Sequence, residues 1–181
     1  EVIAVNPSLL LGPGDHRNSS TEDIRLFLER KIPFCPAGGI AFVDARDAAA
    51  SLILAMEKGK GGERYLVNAA NMTVQAFFGR LERISGVKAP PFRLPRTNAT
   101  IAGVGASLIG KAAKLLSMTP PLDKISAEMA QFFWYCDTTK AETELGWTCR
   151  DPNETLADTV EDLEARGIVW PRPSTRGASS N

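Results

Sequence analysis

Residues 1–15 read EVIAVNPSLLLGPGD, and the reading of this stretch decides the fold. It opens on the apolar run Val2-Ile3-Ala4-Val5, passes through Asn6-Pro7-Ser8 and ends in the turn Gly12-Pro13-Gly14-Asp15. The apolar residues are consecutive rather than alternating. Both faces of the strand therefore require burial, as in a parallel sheet covered on both sides. In open α/β sheets, ligands sit just beyond the carboxyl ends of such strands. Asn6-Pro7-Ser8, where the strand stops, is accordingly the first place to look for a ligand. A buried parallel strand needs neighbours on both sides, yet the chain begins inside it, without an initiator Met. The expectation is the later part of a longer protein. Alone, the Val2–Val5 strand would present an unpaired edge and make the chain poorly soluble.

The bulk numbers exclude several partners. The chain has 181 residues, enough for one domain with a core, and its 21 basic and 21 acidic side chains cancel. A zero net charge argues against nucleic acid or an acidic membrane surface, both of which reward a basic patch. The short basic clusters are interleaved with acids, as in residues 25–31, and read as a solvated helix face. Cys35, Cys136 and Cys149 are far apart and odd in number. They have neither metal-ligand nor redox spacing, and read as free thiols of a reducing, cytoplasmic compartment. The single histidine, His16, follows a turn in a polar loop and reads as solvated; no metal site is expected.

Outward from the opening strand, the loop of residues 16–20 leads to a helix of about ten residues, capped by Ser20 or Thr21, with Ile24, Leu26, Phe27 and Leu28 as its apolar side. Residues 34–37 form a short strand, Gly38-Gly39 a turn, and residues 40–43 another strand. Asp47 is the expected N-cap of a helix over 48–58, with Leu52, Ile53, Leu54 and Met56 facing the core. Residues 59–62 are a surface turn, 65–67 a strand and 68–71 a loop. Thr73 caps a helix on which Phe77, Leu81 and Ile84 share a face and which Gly86 closes. Residues 89–95 are extended. Residues 97–118 are weakly polar, but Lys111 and Lys114 interrupt them. They predict a helix packed on the domain, or laid on a partner or membrane surface, rather than a span. A helix over 126–131 precedes the aromatic segment 132–136, which is strand-like or buried and extended. A short helix from Thr138 ends at Gly146-Trp147, with Trp147 plugging the core. The last helix, 154–166, buries Leu156, Val160 and Leu163 and stops at Gly167. Residues 1–167 thus form one folded unit and 168–181 a disordered tail.

Five segments stand in a fixed order: Asn6-Pro7-Ser8 with its Gly-Pro-Gly-Asp turn; Phe42-Val43-Asp44-Ala45-Arg46-Asp47-Ala48-Ala49; Gly62-Glu63-Arg64-Tyr65-Leu66-Val67; Thr139-Lys140-Ala141 with Glu144-Leu145-Gly146-Trp147; and an amphipathic helix. Their order resembles the C-terminal half of the extended short-chain dehydrogenase/reductase family. The nearest likeness is to its NAD-dependent epimerase/dehydratase group, with dihydroflavonol-reductase-like and hopanoid-associated sugar-epimerase-like members. The resemblance spans residues 2–167. It implies the C-terminal portion of a Rossmann-type α/β fold with a smaller substrate-binding lobe, NAD or NADP as cofactor, and a small-molecule substrate.

By the same resemblance, Pro7 and Ser8 would shape the nicotinamide site, Leu10 would lie beside them and Ser20 would reach the cofactor from the next loop. Asn6 would face the substrate. Arg46 reads either as a group near a polar substrate or, with Asp44 and Asp47, as part of a cap and salt bridge. The family's Gly-x-x-Gly-x-x-Gly and Tyr-x-x-x-Lys motifs are absent from the chain. Tyr65 and Tyr135 are its only tyrosines, and neither has a lysine four residues on. No catalytic residue is assigned. The whole protein is expected to be a reductase, dehydrogenase or epimerase acting on a ketone, a flavonoid- or steroid-like compound, or a nucleotide sugar. This chain alone is expected to be inactive and to pair with a missing N-terminal half. The rival reading is a non-catalytic, enzyme-derived binding module. The family's relatives often dimerise through the missing half, so oligomeric state is not legible.

Overall fold

A computed structural model describes residues 1–17, 19–93, 129 and 131–170. The opening strand, β1, runs over Ala4–Pro7, two residues later than the apolar run begins, and a second strand, β2, over Leu9–Leu11. Helix α1 (Glu22–Leu28) and the two-residue strand β3 (Phe34–Cys35) lead into β4 (Gly39–Asp44). Helix α2 (Ala45–Lys58), strands β5 (Arg64–Val67) and β6 (Ala70–Thr73) and helix α3 (Val74–Ser85) follow. Strand β7 is Phe92–Arg93. A π-helical turn, α4 (Ala141–Leu145), and helix α5 (Pro152–Ala165) complete the described elements.

β1 pairs with β5 in parallel, with Val5 opposite Tyr65 and Pro7 opposite Val67. The two strands then part, and β4 occupies the gap. β2 lies parallel to one edge of β4, with Leu9 opposite Phe42, and β6 lies antiparallel to the other, with Ala70 opposite the same Phe42. The residues predicted as a loop, 68–71, therefore include the start of a strand. Ser8 and Asn68 stand where β1 and β5 separate. The Ser8 backbone N–H donates to Val67 O as the last rung, and Ala69 N–H donates to Phe42 O as the first rung on the other side.

Two buried clusters flank this sheet. One gathers α1, α3 and α5 around Phe27, Phe42, Phe77 and Phe78. Phe27 stacks on Phe78 with ring centroids 5.3 Å apart, and Phe77 meets both Phe42 and Phe78 at tilted or edge-on angles. Such pairs add about 0.5–1.5 kcal/mol each beyond the area they bury. The other cluster packs α2 and α4 on β1 and β5, around Tyr65, Leu145 and Trp147. Trp147 is the plug that its position predicts: its indole Nε1–H donates to Asp47 O at 3.0 Å. Leu156, Val160 and Leu163 of α5 are buried, as is Val169, so the core continues past Gly167.

Two readings of α2 are corrected. Its N-cap is Asp44, whose carboxylate accepts from the Arg46 N–H, and not Asp47. Three residues that read as the core face are exposed, Leu52 at 55%, Ile53 at 57% and Met56 at 84%, while Ala48, Ser51 and Ala55 are buried. The face that packs is the one with the smallest side chains, which lets the helix lie close on the strands. α1 is seven residues long and no side chain of its own caps it. Its entry is held by Asp15, whose Oδ2 accepts from Ser20 N, Thr21 N and the Thr21 hydroxyl. Within α1, Arg25 bonds both Glu22 and Glu29, which is the solvated charge pattern predicted for that face. Thr73 caps α3 by accepting from Ala76 N, and Gly86 ends it. The helices predicted over 97–118 and over most of 126–131, and the tail from 171, lie outside the described residues.

Candidate functional site

Where β1 and β5 part, the surface opens into a cleft of about 490 Å³, within the roughly 300–1,000 Å³ range of small-ligand sites. One wall is Pro7, Ser8 and Leu9, with Ile40 and Ala41 of β4 beside them. The facing wall is the segment Phe133, Trp134, Tyr135 and Cys136. No acidic or basic side chain of the described residues lines it.

The first wall is rigid for identifiable reasons. Pro7 fixes its own φ and brings no N–H, and its strand neighbour is Val67. The Ser8 hydroxyl donates to Asn68 Oδ1 at 3.0 Å, and Asn68 Nδ2 donates to Asn71 Oδ1 at 3.0 Å. Asn71 bridges to the opposite wall. Its Nδ2 donates to Cys136 O at 2.9 Å, and its Oδ1 accepts from Cys136 N at 3.1 Å. A continuous set of amide and hydroxyl contacts thus joins the end of β1 to the aromatic segment.

That segment is seated on Gly39, the first residue of β4. Gly39 N–H donates to Phe132 O at 3.0 Å, and Trp134 N–H donates to Gly39 O at 3.3 Å. Any Cβ at position 39 would lie 2.5 Å from Tyr135 Cε1 and 2.6 Å from Phe133 Cδ1. The Phe133 and Tyr135 rings meet edge-on with centroids 5.4 Å apart.

The residues singled out from the sequence divide into two groups. Pro7 and Ser8 lie together on the cleft. Asn6, Leu10, Ser20 and Arg46 do not line it. Asn6 is exposed on β1, opposite Leu66. Leu10 is 37% exposed on β2. Ser20 sits at the entry to α1, bound to Asp15 through its N–H. Burial pushes the Asp15 carboxyl up, but hydrogen bonds from Thr21 and from the Ser19 and Ser20 backbones outweigh it and hold the group below the ordinary carboxylate range.

Arg46 is committed to two carboxylates, with Nη2 2.7 Å from Asp44 Oδ2 and 2.6 Å from Asp158 Oδ2. Asp44 is fully buried. Burial raises its pKa, but hydrogen bonds from the Arg46 side chain and backbone prevail, so it stays ionised below the usual value. Next to it, Arg150 grips Asp47. This cluster ties α2 to α5 and reads as architecture. Sequence reading missed Ile40, Ala41 and residues 133–136 as cleft lining. The available signal was Phe132-Phe133-Trp134-Tyr135, four consecutive aromatic residues in a chain with 7% aromatic content.

The cleft fits one face of a nicotinamide ring. It offers a flat, largely apolar wall at the carboxyl end of a parallel strand, with Ser8 as the polar atom set into it. Among the described residues no glycine turn opening a helix fits a pyrophosphate. They likewise contain no group of ligands for a metal and no helix long and apolar enough to cross a membrane.

The fold is that of Rossmann-type NAD-binding epimerases and reductases. The crystal structure of gox2253 superposes with a TM-score of 0.73 and 26% identity, covering 92% of this chain and 50% of that one. A nucleoside-diphosphate-sugar epimerase from Pseudomonas aeruginosa gives a TM-score of 0.68 at 24% identity, covering 93% of this chain and 49% of that one. UDP-glucuronic acid 4-epimerase from Bacillus cereus, solved with NAD, gives 0.59 at 15% identity, covering 95% and 45%. RMD from Pseudomonas aeruginosa, complexed with NADPH, gives 0.57 at 14% identity, covering 91% and 48%. No family model matches the chain.

Two curated proteins carry the relationship into sequence. A protein of Synechocystis sp., provisionally named a dihydroflavonol 4-reductase, is 30% identical over 178 residues, covering 93% of this chain and 50% of that protein. Sterol demethylase protein B of Methylococcus capsulatus is 29% identical over 171 residues, covering 93% and 52%. In sequence and in fold the chain is similar to one half of these reductase- and epimerase-type proteins. It spans about half the length of the curated relatives it matches.

Proposed function

We propose that this chain supplies one wall of the active site of an NAD(P)-dependent oxidoreductase acting on a carbonyl or alcohol carbon of a small molecule. One observation carries the reading: Pro7 and Ser8, at the carboxyl end of β1, form the floor of the cleft opposite an aromatic segment. A bound nicotinamide would accept or donate a hydride there. Pro7 presents a fixed, flat face to the ring. Ser8, anchored through both its N–H and its hydroxyl, keeps that face in place without reorganisation when the cofactor binds. Leu10 and Ser20 on the cofactor side, and Asn6 on the substrate side, lie off the cleft lining, and their roles rest on the family resemblance alone. Arg46 contributes by holding α5 against the site rather than by touching substrate. The names of the relatives support a substrate such as a cyclic ketone or a nucleotide sugar. The proton-transferring group would come from outside this chain.

The test uses the whole gene product that contains this chain. NADH and NADPH are titrated by nicotinamide fluorescence, and loss of the reduced cofactor's absorbance is then followed with cyclic ketones and with UDP-glucose. Binding of one cofactor, weakened at least about tenfold in Pro7→Trp (about 1.4 kcal/mol), is the expected result. If neither cofactor binds, the oxidoreductase reading fails and the chain is a non-catalytic binding module.

A further inference from the structure

We infer that Asn71, which lies off the cleft lining, fixes the hydrogen-bond polarity of Ser8 within it: the Ser8 hydroxyl oxygen meets a ligand as an acceptor only. This deepens the proposed function and rests on it, since the ligand group concerned is then the carboxamide N–H of the nicotinamide.

Backbone atoms set the direction, because their roles admit no choice. Cys136 N can only donate and Cys136 O can only accept. Asn71 meets both, with Oδ1 3.1 Å from the nitrogen and Nδ2 2.9 Å from the oxygen. Turning its amide over would set oxygen against oxygen and N–H against N–H. Asn71 Oδ1 therefore also faces Asn68, at 3.0 Å, and the atom it meets must be the donor Nδ2. That leaves Asn68 Oδ1, an atom with no hydrogen, 3.0 Å from the Ser8 hydroxyl. The hydroxyl must donate, and it has one hydrogen to give. Its lone pairs are what remain for the cleft that Ser8 lines.

The relay is held in place. Asn68 is buried, and a turned amide there would leave polar atoms cut off from water and mispaired. The Asn71 backbone is a rung of β6 opposite Ala41, which itself lines the cleft. Ser8 is tied down separately, through its N–H to Val67 O. Asn71 thus acts on Ser8 through Asn68 and is a positioning residue. A ligand that brings an N–H or O–H to Ser8 gains a hydrogen bond, whereas one that brings a bare oxygen sets acceptor against acceptor.

The experiment uses the whole gene product that contains this chain. Joint neutron and X-ray diffraction of D2O-exchanged crystals locates the deuterons with no cofactor present. One is expected on Ser8 Oγ, directed at Asn68 Oδ1, with two on Asn68 Nδ2; a Ser8 deuteron aimed into the cleft overturns the inference. Binding of NADH and NADPH is then compared with that of their 3-acetylpyridine analogues, in which a methyl group replaces the carboxamide NH2. An accepting Ser8 loses its partner in the analogue, while a donating one would take the carbonyl oxygen that both forms share. The parent protein is expected to hold the carboxamide form at least about tenfold more tightly (about 1.4 kcal/mol). Asn71→Leu frees the Asn68 amide to turn over, and Asn68→Leu frees the hydroxyl outright, so each is expected to abolish that preference, as is Ser8→Ala. A merely structural role would weaken both forms equally and keep the preference; that result overturns the inference, as does equal binding of the two forms by the parent protein. If no dinucleotide binds, the oxidoreductase reading fails alone, and the position of the deuteron decides the polarity of Ser8.

Discussion

Arg150 clamps Asp47 from 103 residues away, with its Nη2 2.9 Å from Oδ1 and its backbone N–H 2.9 Å from Oδ2. The Asp47 side chain is 11% exposed and that of Arg150 24%. Removing Arg150 leaves the Asp47 carboxylate partly buried without this ion pair, and removing Asp47 leaves Arg150 only its longer pairs at 3.6 Å to Asp44 and Glu154. Asp47→Ala is expected to cost about 2–3 kcal/mol, read as a lower urea midpoint with an unchanged m-value. Arg150→Lys, which loses the forked geometry but keeps the charge, should cost less than half of that. Equal losses in both variants would argue against the clamp.

The ionised state of Asp44 and Asp15 makes stability depend on acid. Both carboxyls are held below their ordinary value in the folded chain. Each therefore contributes stability that is fully present above the unfolded value of about 4 and is lost as pH falls through the folded value. Urea midpoints should be flat from about pH 6 to 5 and fall steeply below about 4. Asp44→Asn should lower the midpoint at pH 6 and flatten the acid limb. An acid limb as steep as that of the parent chain would show that other groups drive it.

Gly12 sits in the turn after β2 at φ 127°, and an added Cβ would meet Asp44 Oδ1 at 3.3 Å. Gly12→Ala therefore combines backbone strain with crowding of a buried carboxylate. A loss of about 1–3 kcal/mol, seen as a lower thermal midpoint, is the expected outcome; Gly14→Ala, at positive φ but in open space, should lose less.

The orientation of α2 is also testable. Met56 is 84% exposed and Ala55 4%. Met56→Lys should change stability by no more than about 0.5 kcal/mol, whereas Ala55→Leu should cost about 1–3 kcal/mol through overpacking against β1 and β4. A destabilising Met56→Lys would mean that the apolar side chains form the core face after all.

Much of this architecture is written locally. The cap at Thr73, the Gly86 stop and the plug at Trp147 need only their neighbours in sequence to be recognised. The parallel character of β1 follows from its consecutive apolar residues. What escaped the sequence depended on distance. Hydrophobicity pointed Leu52, Ile53 and Met56 inward, but close helix–sheet contact selected Ala48, Ser51 and Ala55. No local rule distinguishes the two faces when both are apolar or small. The cleft escaped more completely. Its facing wall lies more than 120 residues beyond Pro7 in sequence and is seated by a glycine whose local signal was only a turn. Arg46 looked available as a free cation because Asp158, its second partner, is 112 residues away.

The contacts running from Ser8 through Asn68 and Asn71 to Cys136 act as a spacer gauge for the cleft. Both walls hang on the same two amide side chains, so the gap between them has a set thickness rather than a set outline. Removing either amide would therefore loosen both walls at once, because neither wall is fixed independently of the other along this chain of contacts.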